Sequence, residues 1–133
     1  MANALFDKGR EGFLDGSIDW DTDDIKACLV DTGTYTVDLA THDFLDDVSG
    51  IVATSGNFAS KTVAAGVADA ADVTFSAVTG ATVEAIVIYK DTGSAATSRL
   101  IAYIDTGTGL PVTPNGGDIS IAWDSGANKI FKL

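Results

Sequence analysis

Hydrophobic residues recur along this chain with two different spacings, and the change between them divides it. In "ANALFDKGREGFLDGS" the residues Leu5, Phe6, Phe13 and Leu14 fall on one helical face, and Gly16 suits a stop. Gly9 and Gly12 each weaken such a helix by about 1 kcal/mol relative to Ala. Residues 1–16 therefore read as a short helix, or as an arm that orders only against another surface.

From about residue 17 the spacing becomes two. "YTVDL" sets Tyr35, Val37 and Leu39 on one side, "DVTFSAV" sets Val73, Phe75 and Ala77, and "DISIAWD" sets Ile119, Ile121 and Trp123. Each predicts a half-buried strand. "VEAIVIYKD" and "SRLIAYID" are apolar on both faces, which predicts central strands covered on both sides. "DDIKACLVD", "FASKTVA" and "NKIFKL" bring the expected number to about eight. "DTGT", "SGN", "DTGS", "NGG" and "DSGAN" lie between them as turn chemistry, and "ATHDFLDDV" suits one helical turn capped by Thr41. No linker and no long repeat interrupts residues 17–133. The sum is a mainly β chain: an antiparallel sandwich or barrel behind a short N-terminal helix or arm.

Composition agrees. Of the 19 acidic residues 17 are Asp, a residue of turns and strand ends, and the 14 glycines point the same way. With 133 residues the chain makes one core without disulfides. Its single cysteine, Cys28, lies in an apolar run and reads as a small buried hydrophobe. The opening Met-Ala-Asn-Ala lacks a basic and apolar leader pattern, and "AIVI" is far short of a membrane span. Synthesis in a cytoplasm and no membrane contact are expected.

A net charge of −11 disfavours nucleic acid, because phosphate binding needs clustered Lys and Arg and the eight present are scattered. The acid is concentrated: residues 1–47 hold 12 acidic against three basic groups, the remainder seven against five.

Asp-Thr-Gly, the aspartic protease signature, occurs at Asp31, Asp91 and Asp105. A protease needs two such carboxylates sharing one proton, with an apolar-apolar-Gly element packed behind them. Neither "SGIVATSG" nor "AVTGATV" supplies that element. Each copy closes an apolar run, where Asp-x-Gly is common turn chemistry. They read as turns.

The remaining motifs also fall short of chemistry. "DWDTDD" opens like a calcium loop, but Asp24 and Val30 stand where Gly and Glu are needed, so an acidic turn before a strand fits better than a weak cation site. One His, His42, and one Cys cannot make a zinc site, and no Gly-x-Ser-x-Gly elbow accompanies His42. "TGTGLPVTPNGGD" lacks a phosphate-loop ending. It is a hairpin connection, or a contact loop stiffened by Pro111 and Pro114. Trp123 alternates with core residues, whereas Trp20 stands among acids and could serve a sugar platform. No catalytic residue, cofactor site or metal site is assigned, and the chain reads as a non-enzyme.

The stretches "DKGREGFLDGSIDWDTDDIKACLVDT" and "YKDTGSAATSRLIAYIDTGTGLPVTPNGGDISIAWDSGANKIFKL" resemble short acidic virion proteins of tailed bacteriophages. The shared features are a Lys-x4-Phe-Leu segment (Lys8, Phe13, Leu14), an Ile-Lys-x2-Leu-Val-Asp-Thr strand from Ile25, and a Trp strand followed by "IFKL". The resemblance implies a capsid decoration (cement) protein that binds the major capsid protein or another virion protein. It also implies location in the virion and a homo-oligomer, with a trimer favoured. A tail-associated or receptor- and carbohydrate-binding module is the alternative. The contact candidates are Leu5, Phe6 and Phe13 as anchors of the arm on a capsid, or else packed against the chain's own sheet, and Trp20 with Pro111 and Pro114 of the 106–117 loop for a receptor or sugar.

Overall fold

The computed structural model describes residues 4–106 and 108–133. The first three residues of the expected arm, and Gly107 of the third Asp-Thr-Gly, lie outside them.

The chain is mainly β: ten antiparallel strands and one helix among the described residues, in a sandwich-like arrangement. Its frame is a five-stranded sheet in the order β1 (Ala4–Leu5), β8 (Leu100–Ile104), β7 (Ala85–Lys90), β2 (Ile25–Val30), β3 (Ile51–Thr54). The two sequences expected to be central are central. All of β8, and β7 up to Tyr89, is buried. Alternation along these strands feeds two separate cores. Ile25, Ala27, Leu29, Ile86 and Ile88 face one; Cys28, Val30, Val87, Tyr89 and Tyr103 face the other. Ile101 is an extra residue opposite the Ile88–Tyr89 step, so a bulge keeps both Leu100 and Ala102 on their proper faces.

The larger core is closed by two smaller sheets. One orders β10 (Phe131–Lys132), β5 (Val67–Asp69) and β4 (Thr62–Ala64); the other pairs β6 (Val73–Phe75) with β9 (Ile119–Ile121). Both indoles sit in this core. Trp20 Nε1 donates to the Asp69 carbonyl at 3.1 Å and Trp123 Nε1 to that of Ala71 at 3.0 Å. Phe58 packs between them, 6.0 Å from Trp20 and 5.4 Å from Trp123, centroid to centroid.

The smaller core is covered by residues 35–48. Tyr35, Val37 and Leu39 do point to one side, as their spacing demands, yet they form no strand. Their backbone bonds run elsewhere: Tyr35 N–H to the Asp31 carbonyl and the Leu39 carbonyl to Asp7 N–H. The segment is a cover laid on a sheet, with no ladder of its own. The helical turn expected at 40–48 is a 3₁₀ turn at Leu45–Asp47, and Thr41 does not cap it. Asp47 caps backward instead, accepting from Asp43 N–H at 2.9 Å. Two expected strands are trimmed by residues in the left-handed region, Ser60 before β4 and Ala77 after β6.

The helix, α1 (Asp7–Asp15), ends at Gly16 as expected, but its buried face differs from the one its spacing suggested. Leu5 belongs to β1 and Phe6 precedes the helix, while Leu14 is 87% exposed. Gly9 and Gly12 form the inward face. A Cβ on Gly9 would stand 2.7 Å from the Leu100 carbonyl oxygen and 2.8 Å from that of Ile101. Gly9 lets the helix touch the backbone of β8, and Gly12 makes room for the Ile18 side chain. Because β1 pairs with β8 and α1 lies against it, the N-terminal segment is built into the sheet of this same chain.

Candidate contact surface

Four of the six residues expected to meet a partner are used within the fold. Leu5, Phe6 and Trp20 are buried, Leu5 and Trp20 in the larger core and Phe6 in the smaller. Phe13 is half-buried, 5.8 Å from the Phe131 ring. Pro111 is exposed and Pro114 half-buried. Their loop is not free-standing: Val112 bridges Val83, Thr108 bridges Ala122, and the Gly117 carbonyl accepts from Val78 N–H. The Trp20 ring makes edge-to-face contacts with Phe58 and Phe131 and is only 4% exposed, too little for the stacking platform a sugar needs.

The Asp-Thr-Gly copies at Asp31 and Asp91 are Asx turns, and the third runs into Gly107, outside the described residues. Asp31 accepts Gly33 N–H at 2.9 Å, and Asp91 accepts Gly93 N–H at 3.1 Å. Asp91 and Asp105 follow antiparallel neighbours and so lie at opposite ends of the sheet. Asp31 and Asp105 lie at the same end but flank β7, which separates them by two strand spacings, about 10 Å. Asp91 is further tied to Lys26 at 2.9 Å, and its carboxyl is held below the usual range first by that ammonium and then by Gly93 N–H.

The acidic turn at 19–24 is folded around lysines. Asp23 accepts Asp19 N–H at 2.7 Å and pairs with Lys90 at 3.1 Å. Lys90 also donates to the Ser17 carbonyl at 2.6 Å, and Lys61 to that of Asp23. Asp19 and Asp21 remain exposed, with carboxyls near enough to share a proton when one of them is protonated. The bond and repulsion from Asp19 push the Asp21 carboxyl up, while bonds from Asp21 and Thr22 hold Asp19 down. No group of three or more His, Cys, Asp or Glu suited to a metal occurs among the described residues. His42 is engaged with Tyr35, ring stacked on ring, its Nδ1 2.8 Å from the phenol oxygen.

One opening on the surface is mainly apolar and lies beside that turn. A groove of about 400 Å³ runs between the end of α1 and the three-stranded sheet, lined by Phe13, Trp20, Val63, Val67, Phe131 and Leu133, with Asp19 and Asp21 at its rim. Val63 and Leu133 are 58% and 60% exposed. The register explains the exposure. Phe131, Ala68 and Val63 stand in one row across β10, β5 and β4, and the row has no neighbour beyond β4. Phe13 and Trp20 were visible in the sequence as candidates. Val63, Val67 and Leu133 were not, because "TVAAGVAD" alternates too briefly to announce a hairpin.

No family model matches this chain, and no curated protein is similar enough to it to count as a relative. Among the described residues no helix is long and apolar enough to cross a membrane.

Proposed function

We propose that this chain is a non-enzymatic structural protein of a tailed-phage virion that binds and stabilises the outer capsid lattice. One observation carries the reading: both faces of the central sheet are filled from within the chain, and an apolar groove is left open at a sheet edge beside an acidic turn. That is the surface of a protein that adheres. The resemblance of the N-terminal and C-terminal stretches to virion proteins supports the same role.

The partner is the major capsid protein or another virion protein. A clamp that binds assembled lattice and not its free parts stabilises the lattice by mass action. Repetition over the shell adds avidity, so each contact need only be weak. The basic groups of the acidic half are largely spoken for: Lys8 pairs with Glu11 at 2.9 Å, Arg10 with Asp7 at 3.8 Å and Lys26 with Asp91. The field this half presents is therefore negative, and it suits a basic surface.

The test is to mix purified protein with empty expanded capsids and with isolated tails, and to image both by electron cryomicroscopy. Regular density on the head lattice, thinning as salt is raised, is expected. Bare heads overturn the reading, and density on tails alone replaces it with a tail role. Decoration insensitive to salt would reject the electrostatic part.

A further inference from the structure

We infer that the open edge of β4, together with the groove beneath it, receives an extended segment of a partner protein in which apolar residues alternate with Lys or Arg. The argument starts from the β4–β5 hairpin. Its loop is Ala65-Gly66, both residues at positive φ (52° and 78°), the geometry of a two-residue turn. In such a hairpin Ala64 and Val67 exchange the hydrogen bonds nearest the turn, so the next pair, Val63 and Ala68, does not. The amide and carbonyl of Val63 therefore point away from β5, toward solvent.

All three residues of β4 are exposed, and Val63 carries the row that begins at Phe131 and is buried at Ala68. An added strand would satisfy the backbone groups of Val63, extend the row, and lay every second side chain over the groove floor of Phe13 and Trp20. Such edges are usually protected by a charge or a proline within the strand, and β4 has neither. Charge selects the occupant. Asp19 and Asp21 stand at the rim, and in a chain of net charge −11 a second copy would bring like charge to the same edge. A cationic partner gains where a second copy loses.

The inference rests on the proposed role only for who supplies the segment; its test needs no capsid. The full chain is titrated with an amidated nonapeptide alternating valine and lysine, and with its valine–glutamate counterpart, while backbone amide shifts are recorded by NMR. Shifts at residues 62–64 and at the Trp20 indole are expected with the lysine peptide, at least tenfold weaker with the glutamate peptide. Val63→Pro removes the outward N–H, which an edge strand tolerates, and exchanges the valine side chain for an apolar ring of similar size; it should weaken binding about tenfold. Asp19→Asn with Asp21→Asn, which leaves the hairpin untouched, should reduce the preference for lysine. Shifts confined to other surfaces, equal binding of both peptides, or a Val63→Pro protein that binds like the parent overturns the inference. So does concentration-dependent self-association that Val63→Pro abolishes, which assigns the edge to a second copy. Decoration of capsids without peptide binding removes the groove and spares the virion role; peptide binding without decoration does the reverse.

Discussion

Replacing Gly9 by alanine separates helix propensity from packing, because the two act in opposite directions there. Propensity alone favours alanine by about 1 kcal/mol in a helix interior. The packing opposes it: the new Cβ would lie 2.7 Å and 2.8 Å from two carbonyl oxygens of β8 and 2.9 Å from the Ile101 Cα. Comfortable contact needs about 3.5 Å, so α1 would have to lift by more than about 0.5 Å. Strand β8 cannot retreat, because β1 and β7 hold it on both sides. Lifting α1 strains the 3.0 Å bond from Phe6 N–H to the Ile101 carbonyl and disturbs the fully buried Phe6 ring. Overpacking of this kind costs about 1–3 kcal/mol and a weakened hydrogen bond about 1 kcal/mol. After the propensity gain, a net loss of about 1–3 kcal/mol is expected, or a melting temperature lower by about 4–11 °C in a domain of this size. Urea unfolding followed by tryptophan fluorescence, with thermal melts by circular dichroism, measures it. Gly12→Ala is the comparison: its Cβ meets chiefly the end of the Ile18 side chain, which can swing aside, so it should lose less. A Gly9→Ala protein as stable as the parent, or more so, would refute the seating of α1 on β8 and restore the picture of a detached arm.

Ser55→Ala should destabilise by about 1–3 kcal/mol with an unchanged urea m-value, since Ser55 Oγ accepts the buried Ala27 N–H at 2.9 Å and nothing in alanine replaces it. Asp91 has its folded pKa depressed below the ordinary 3.8, so its contribution is present at higher pH and lost as pH falls through the folded value. The urea midpoint should decline below about pH 4, and Asp91→Asn should flatten part of that decline; parallel profiles for the two proteins would contradict it. Burial pushes the Cys28 thiol up to about 12, so it should resist a thiol reagent at pH 8 in the native protein and react stoichiometrically in 6 M guanidinium. Reaction at the same rate in both conditions would place it on the surface.

The frame was legible because strands buried on two faces leave an unbroken apolar signature, and "VEAIVIYKD" and "SRLIAYID" carry it. The covering segment was legible only in part. Alternation at Tyr35, Val37 and Leu39 reports which side faces the sheet, and that held; alternation does not report whether a neighbouring strand is present to pair with. The helix misled for a different reason. A glycine in a helix reads as a weakness when only propensity is weighed, and as a packing face once a backbone lies 3 Å away. Nothing in residues 1–16 signals that strand β8, some ninety positions later, will be the surface they meet.

The contact surface was hidden by the same logic. Large aromatic residues draw attention in a sequence, yet a chain that fills both faces of a central sheet consumes them: Phe6, Trp20 and Phe58 are all internal. Apolar surface is left open where a sheet stops growing. Along the row Phe131, Ala68, Val63 burial is partial, then nearly complete, then lost, and the change at Val63 reflects the missing neighbour, not its own chemistry. A valine in "KTVAAG" is unremarkable by composition; it becomes an exposed edge residue because two turn residues at positive φ end the strand and leave its amide outward. A strand's position in its sheet thus decides which small hydrophobe stays exposed, and that position follows from turns that a hydropathy pattern does not encode.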